Sequence, residues 1–146
     1  MKIRPFEQHD LPQIFEIYAQ SKLDELRFEE GEFVLIRLEE DPKRFPKVME
    51  SNIFVYEDGI VLGFGAILKS EIRALFVAPS ARGRGIGKSL LECLLAKSLG
   101  NTSLWVTRSN IPAIQLYKSY GFVISDEFYA KYNGKAVSVC EMHCRD

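Results

Sequence analysis

The order of apolar and polar positions divides the chain into short strands and amphipathic helices. Lys2 to Phe6 predicts a short strand. Leu11, Ile14, Phe15, Ile17 and Tyr18 recur at helical spacing and give a first helix one apolar face. Asp10 and Gln13 at its start have the spacing of a capping box. Residues 22–50 are charged and irregular, and one or two helices are predicted there, with Pro42 and Pro46 as breakers. Ile53 to Tyr56 and Ile60 to Leu68 predict strands joined by a tight turn at Asp58-Gly59, and Ile72 to Val77 predicts another.

Past that strand, Gly87, Leu90, Leu91, Leu94 and Leu95 form the buried stripe of a helix from about Gly85 to Leu99, stopped by Gly100-Asn101. Leu104 to Thr107 is the next strand. A helix from Asn110 to Tyr120 follows, with Gly121 as its left-handed cap. Val123 to Tyr129 and Lys135 to Met142 predict a final strand pair with a turn near Asn133-Gly134. The strand–helix–strand unit from Ile72 to Thr107 makes its two strands parallel, and the remaining pairings are mostly antiparallel. No repeat, low-complexity stretch or linker divides the chain, so residues 1–146 read as one α/β (α+β) domain.

Bulk properties narrow the function classes. The chain is 47% hydrophobic and 27% charged with a net charge of −1, which lacks the basic footprint of a nucleic-acid binder. The longest apolar run, Ile60 to Leu68, is nine residues, against a need for about 20 in a membrane span. The N-terminus lacks the apolar core of a signal peptide, and a cytoplasmic location is expected. Cys93, Cys140 and Cys144 form no C-x-x-C pair, and His9 and His143 lie near opposite ends. No metal site is expected, and Cys93 is expected to be a small core residue.

Chemistry concentrates between Val77 and Lys88. A strand ends in Ala78-Pro79, and Arg82-Gly83-Arg84-Gly85-Ile86-Gly87-Lys88 then opens directly into a helix. Alternate glycines let the backbone turn tightly and approach a ligand. Successive N–H groups at a helix start form a concave anion site, and Arg82, Arg84 and Lys88 add positive charge. The pattern suits a di- or polyphosphate. A Walker A loop would need glycine where Arg82 stands, and the dinucleotide fingerprint needs G-x-G-x-x-G rather than the G-x-G-x-G found here.

The run from Arg82 to Gly87, after an apolar strand ending in Val77-Ala78-Pro79, resembles the coenzyme A pyrophosphate loop of the GNAT superfamily of N-acetyltransferases. About 25 residues on, Asn110-x-x-Ala113-x-x-x-Tyr117-x-x-x-Gly121-Phe122 resembles the second signature of that family. The resemblance covers nearly the whole chain. It implies a GNAT-like mixed, mostly antiparallel sheet with a βαβ acetyl-CoA-binding core and helices on both faces. It implies acetyl-CoA as donor co-substrate, without a metal, and an amine of a small molecule or peptide as acceptor. By the same resemblance, Leu75, Phe76 and Val77 supply backbone groups to the pantetheine arm and acetyl carbonyl. Arg82, Gly83, Arg84, Gly85, Ile86, Gly87, Lys88 and Asn110 hold the cofactor, and Tyr117 is the general acid.

Alternatives stand beside these assignments. Tyr117 shares a helical stripe with Ala113, Leu116 and Tyr120, which is also the pattern of a packing residue, and Asn110 also suits a helix N-cap. Glu71, Arg73 or a water chain could serve the incoming amine, and a surface pair between Glu71 and Arg73 is the competing reading. Arg73 would favour an acceptor bearing a carboxylate or phosphate. The eight acidic residues between Asp24 and Asp41 would instead favour a cationic amine, or are simply a solvated face. A non-catalytic acyl-CoA-binding module shares the same loop, and both monomer and homodimer are compatible with the sequence.

Overall fold

The computed structural model describes residues 2–145. Their elements are β1 (Lys2–Pro5), α1 (Leu11–Ser21), α2 (Arg44–Met49), β2 (Asn52–Asp58), β3 (Ile60–Leu68), β4 (Glu71–Val77), α3 (Ile86–Lys97), β5 (Thr102–Thr107), α4 (Ile111–Ser119), β6 (Val123–Tyr132) and β7 (Lys135–Cys144). A five-residue 3-10 helix, Lys22–Leu26, continues α1. One seven-stranded sheet runs in the order β1-β2-β3-β4-β5-β7-β6. Every neighbouring pair is antiparallel except β4 with β5. That parallel pair is joined through α3, as the strand–helix–strand pattern requires.

Helices cover both faces of the sheet. α3 lies so close to β3 that a Cβ on Gly65 would come within 2.8 Å of Leu94 Cδ1, and one on Gly63 within 3.1 Å of Leu90 Cδ1. Side chains alternate across a strand, so Phe64, between those glycines, points to the opposite face. There it meets Phe76, which packs edge-on against Tyr18 of α1. Two large clusters result, one uniting α1 with β2, β3 and β4, the other uniting α3 with β5, β7 and Phe122. No described helix is long and apolar enough to cross a membrane.

Several local expectations are corrected. Asp10 does not box with Gln13; its carboxylate takes two bonds from Arg4 (2.8 and 2.9 Å) and one from Glu7 N–H (2.8 Å). Gln13 instead accepts from Val61 N–H at 2.8 Å and fastens α1 to the sheet. Pro46 sits inside α2 rather than breaking it, because it occupies the first turn, where an N–H has no intrahelical acceptor. α3 stops at Lys97, before Gly100-Asn101. Ser98 turns extended, and its hydroxyl accepts from Gly100 N–H and from Thr102. Cys93 is only half buried, whereas Cys140 and Cys144 are in the core.

Candidate functional site

β4 and β5 share one register pair, Glu71 with Ser103, and then part. Beyond that point β4 presents a main-chain edge without a strand partner. Its register to β3 pairs Val77 with Gly63, Phe76 with Phe64 and Leu75 with Gly65. The Ala78 N–H donates to Leu62 O at 2.8 Å, which fixes the alternation. Main-chain groups of Phe76 therefore face β3, whereas those of Leu75 and Val77 face the open edge. The Val77 carbonyl is taken there by the Ser21 hydroxyl at 3.1 Å. Among the described residues, this leaves the Leu75 N–H and C=O and the Val77 N–H without a main-chain or side-chain partner. Of the three residues expected to offer backbone groups, Leu75 and Val77 are so oriented and Phe76 is not.

A narrow cleft of about 80 Å³ fills the gap between the strands. It is lined by Leu75 and Phe76 of β4, Leu104 and Trp105 of β5 and Tyr117 of α4. Lys22, Glu25, Arg44 and Arg73 close its other side. Tyr117 is held by its neighbours: its ring meets Phe122 edge-on at 5.8 Å, and its carbonyl accepts from the N–H groups of Tyr120 and Phe122 as α4 ends at Gly121 (φ 92°). Burial, with a lesser contribution from the Glu25 carboxylate, pushes the Tyr117 phenol above its ordinary pKa. The phenol stays protonated and donates to no protein group among the described residues. A packing role would need only the ring. The structure places Tyr117 among the residues that line the cleft.

The glycine loop lies at the other end of β4. A 3-10 turn, Pro79–Ala81, lifts the chain off the sheet, and Gly83 (φ 81°) and Gly85 (φ 78°) both adopt the left-handed conformation. A Cβ at either would meet nothing within 4 Å, so it is backbone torsion, not crowding, that selects glycine here. Gly85 is the N-cap of α3 and provides no side-chain cap; the first main-chain bond of the helix runs from Ser89 N–H to Gly85 O at 3.0 Å. Among the described residues, the N–H groups from Gly83 to Lys88 find no main-chain acceptor. Arg84 and Lys88 are exposed beside them and form no ion pair among the described residues. This cluster of unsatisfied donors and cations fits a pyrophosphate. The Arg82 guanidinium pairs with Asp24 of the Lys22–Leu26 turn, so it reaches a phosphate only by exchanging that carboxylate.

Asn110 occupies the N-cap position of α4, yet its side chain makes no capping hydrogen bond. It is 9% exposed, and its carboxamide is not consumed by the helix. The open question of Glu71 and Arg73 has a structural answer. Between the pairs Ala66–Ala74 and Ile67–Ile72, β4 carries one residue more than β3, and that bulged residue is Arg73. Its guanidinium binds Glu71 (2.6 Å), Glu50 (2.9 Å) and Lys47 O (3.2 Å). Glu71 is thus held in an ion pair and does not line the cleft.

The acidic run does not wall the cleft either. Of its eight members only Glu25 lines it, and Lys22 binds that carboxylate at 2.9 Å. Asp24 pairs with Arg82, Glu39 with Arg37, and Asp41 caps the Lys43 and Arg44 N–H groups. Lys22, Glu25, Arg44 and Trp105 are cleft residues that the sequence reading missed. One signal was available: Lys22 extends the Ile14, Tyr18 stripe by a further helical turn, which places a cation on an apolar face. It is 6% exposed, and burial lowers its ammonium pKa against the opposing pull of Glu25.

Comparison with known proteins agrees with this arrangement. Residues 49–124 match the family model of the acetyltransferase (GNAT) domain. The chain is 42% identical over 71 residues to the peptidyl-lysine N-acetyltransferase YiaC of Escherichia coli K12, 48% of each chain. It is 36% identical over 94 residues to the streptothricin acetyltransferase of Streptomyces lavendulae, 58% of this chain and 50% of that one. The chain thus spans about half the length of the curated relatives it matches. Among solved structures, a ribosomal-protein-alanine N-acetyltransferase from Brucella melitensis superposes with a TM-score of 0.78 over 100% of both chains at 22% identity. YncA of Salmonella typhimurium, solved with acetyl-CoA, gives 0.73 over 99% of this chain and 93% of that one at 19% identity. The parted β4 and β5, the glycine loop and the matched model lead to one conclusion: this chain belongs to the GNAT acetyltransferase domain family.

Proposed function

We propose that the protein transfers the acetyl group of acetyl-CoA to a primary amine by direct attack of the amine on the thioester. The observation that carries this reading is the parting of β4 from β5 directly beside the Tyr117 phenol, in line with a loop of N–H groups that lack acceptors. The Gly83 to Lys88 amides, with Arg84 and Lys88, take the pyrophosphate. The pantetheine arm pairs with the free β4 edge at Leu75 and Val77, much as an added strand would. Anchoring the far end of the donor holds the thioester in place, so binding energy serves orientation.

At the reacting end the Leu75 N–H points to the carbonyl oxygen, where a fixed donor contributes about 3–4 kcal/mol in comparable oxyanion sites. The amine arrives as an ammonium and loses one proton to water. Its lone pair forms the N–C bond, the C–S bond breaks, and the sulfur takes a proton from Tyr117. The phenolate recovers a proton from the attacking nitrogen through water. The balance is acetyl-CoA and an ammonium in, an amide, free coenzyme A thiol and one proton out. Asn110, its carboxamide unused by the helix cap, contacts the donor at the end of β5.

Release of free thiol from acetyl-CoA, measured with and without a panel of amines, tests the proposal. Amine-dependent release supports it. Acetyl-CoA that raises Tm but yields no thiol with any amine overturns it in favour of an acyl-CoA-binding module.

A further inference from the structure

Charge pairing around the cleft leaves one cation over. Lys22 and Glu25 neutralise each other at 2.9 Å, and Arg73 is held by two carboxylates, Glu71 and Glu50. Arg44 also lines the cleft, yet no carboxylate lies within ion-pair distance of it among the described residues. Its one recorded bond is a long contact, 3.5 Å, to the carbonyl of Arg73. Asp41 does not serve it as a counter-ion, since its carboxylate accepts from the main-chain N–H groups of Lys43 and Arg44. A half-buried guanidinium with only that long contact leaves most of its five N–H donors unmatched, which is costly.

A second observation points to the same place. Tyr18 is fully buried, and its hydroxyl has no hydrogen-bond partner among the described residues. Its ring stands edge-on to the cleft residue Phe76 at 5.2 Å, and the Lys22 Nζ lies 6.0 Å from the ring centre. Among surrounding charges, Arg44 acts most strongly on the Tyr18 phenol. The same guanidinium also acts on Lys22 and on Tyr132, the residue whose ring Lys22 approaches at 5.3 Å. Arg44 and Lys22 thus line the cleft together, and the buried Tyr18 packs on its wall residue Phe76. Both cleft side chains donate, and the negative charge near them comes from Glu25 and, more weakly, from Asp41.

We propose that the acceptor amine carries a carboxylate, and that this carboxylate docks on Arg44 with Lys22 as a further donor. The inference rests on the acetyl-transfer reading and names its substrate class. A planar guanidinium takes a carboxylate in two parallel bonds, which fixes the direction of the molecule that bears it. With its acid end against α2, the acceptor extends its amine toward Leu75 and Tyr117. The acidic run from Asp24 to Asp41 does not oppose this, because only Glu25 reaches the cleft.

The test compares amino acids with their amides, their decarboxylated amines and the matching aminophosphonates in the thiol-release assay. The expected ratio of kcat/KM, acid over amide, is about 10-fold or more, the worth of one or two charge-assisted bonds. Arg44→Gln is expected to bring that ratio to near unity, whereas Tyr18→Phe, which changes a hydroxyl outside the cleft lining, is expected to leave it unchanged. Tyr18→Phe removes no hydrogen bond to the described residues, so the fold survives it. Amides or decarboxylated amines used as well as the acids, or a ratio unmoved in Arg44→Gln, would overturn the proposal. Preference for phosphonates over carboxylates would overturn the carboxylate assignment. If no amine releases thiol, the acetyl-transfer reading fails, and the subsite is then read by binding. Carboxylate amines must raise the Tm of the coenzyme A-saturated wild-type protein more than that of Arg44→Gln, and their failure to do so overturns the subsite.

Discussion

Replacing Tyr117 by phenylalanine separates packing from chemistry at a single atom. The ring contacts that hold the residue, including Phe122 at 5.8 Å, are retained. The hydroxyl donates to no protein group among the described residues, so its removal forfeits no hydrogen bond of the fold. Stability should therefore change by less than about 1 kcal/mol, below the ordinary range for a lost intramolecular bond. Turnover is different. A positioned acid contributes about 10²-fold or more, and a 10²-fold loss in kcat corresponds to about 2.7 kcal/mol of transition-state stabilisation. The assay is thiol release under saturating acetyl-CoA, paired with a Tm for each protein. Because burial raises the Tyr117 pKa above the ordinary value near 10, the acid remains charged with its proton, and no alkaline limb from this group should appear below about pH 10. Equal kcat for the two proteins would refute the assignment. So would a loss of activity that merely follows a loss of Tm.

Three further outcomes are expected. Gly85→Ala places a Cβ in open space but forces a left-handed torsion at φ 78°, which costs about 1–2 kcal/mol; acetyl-CoA affinity should drop more than Tm, and unchanged affinity in a titration would contradict the loop account. Asp10 is held below its ordinary pKa, first by the Arg4 guanidinium and then by the Glu7 N–H, against burial. Its contribution to stability is present above the unfolded value near 4 and is lost as pH falls through the depressed folded value, so the Tm gap between wild type and Asp10→Ala should narrow in acid. A gap independent of pH would argue against that pairing. Lys22→Met leaves the Glu25 carboxylate without its counter-ion, so Tm should fall at neutral pH while acceptor binding weakens, and an unchanged or higher Tm would show that desolvation of the ammonium outweighs the pair.

What the sequence revealed and what it hid follow from the range of the interactions. Strands, helices and the glycine loop are written in local periodicity and in torsional demands, and Gly83, Gly85 and Gly121 stand at left-handed φ where the motif needs them. The order β5-β7-β6 was not legible, because the insertion of β7 beside β5 depends on pairing between distant segments. The bulge at Arg73 is set by register against β3, and no local pattern announces it. Arg44 comes to the cleft from a six-residue helix in the charged, irregular stretch, where periodicity is weakest. The Asp10–Gln13 box did not form for a related reason: the Asp10 carboxylate is taken by Arg4 from β1 and by the Glu7 N–H, with which it forms a box one turn earlier.

Calorimetric titration of the protein with acetyl-CoA and with acetyl-pantetheine, which lacks the pyrophosphate, examines the loop directly. Two charge-assisted bonds contribute about 3–6 kcal/mol, so acetyl-CoA should bind about 100-fold or more tightly than the truncated donor. Equal affinity for the two donors, or no heat from acetyl-CoA at millimolar concentration, would contradict a phosphate grip by the amides of Gly83 to Lys88.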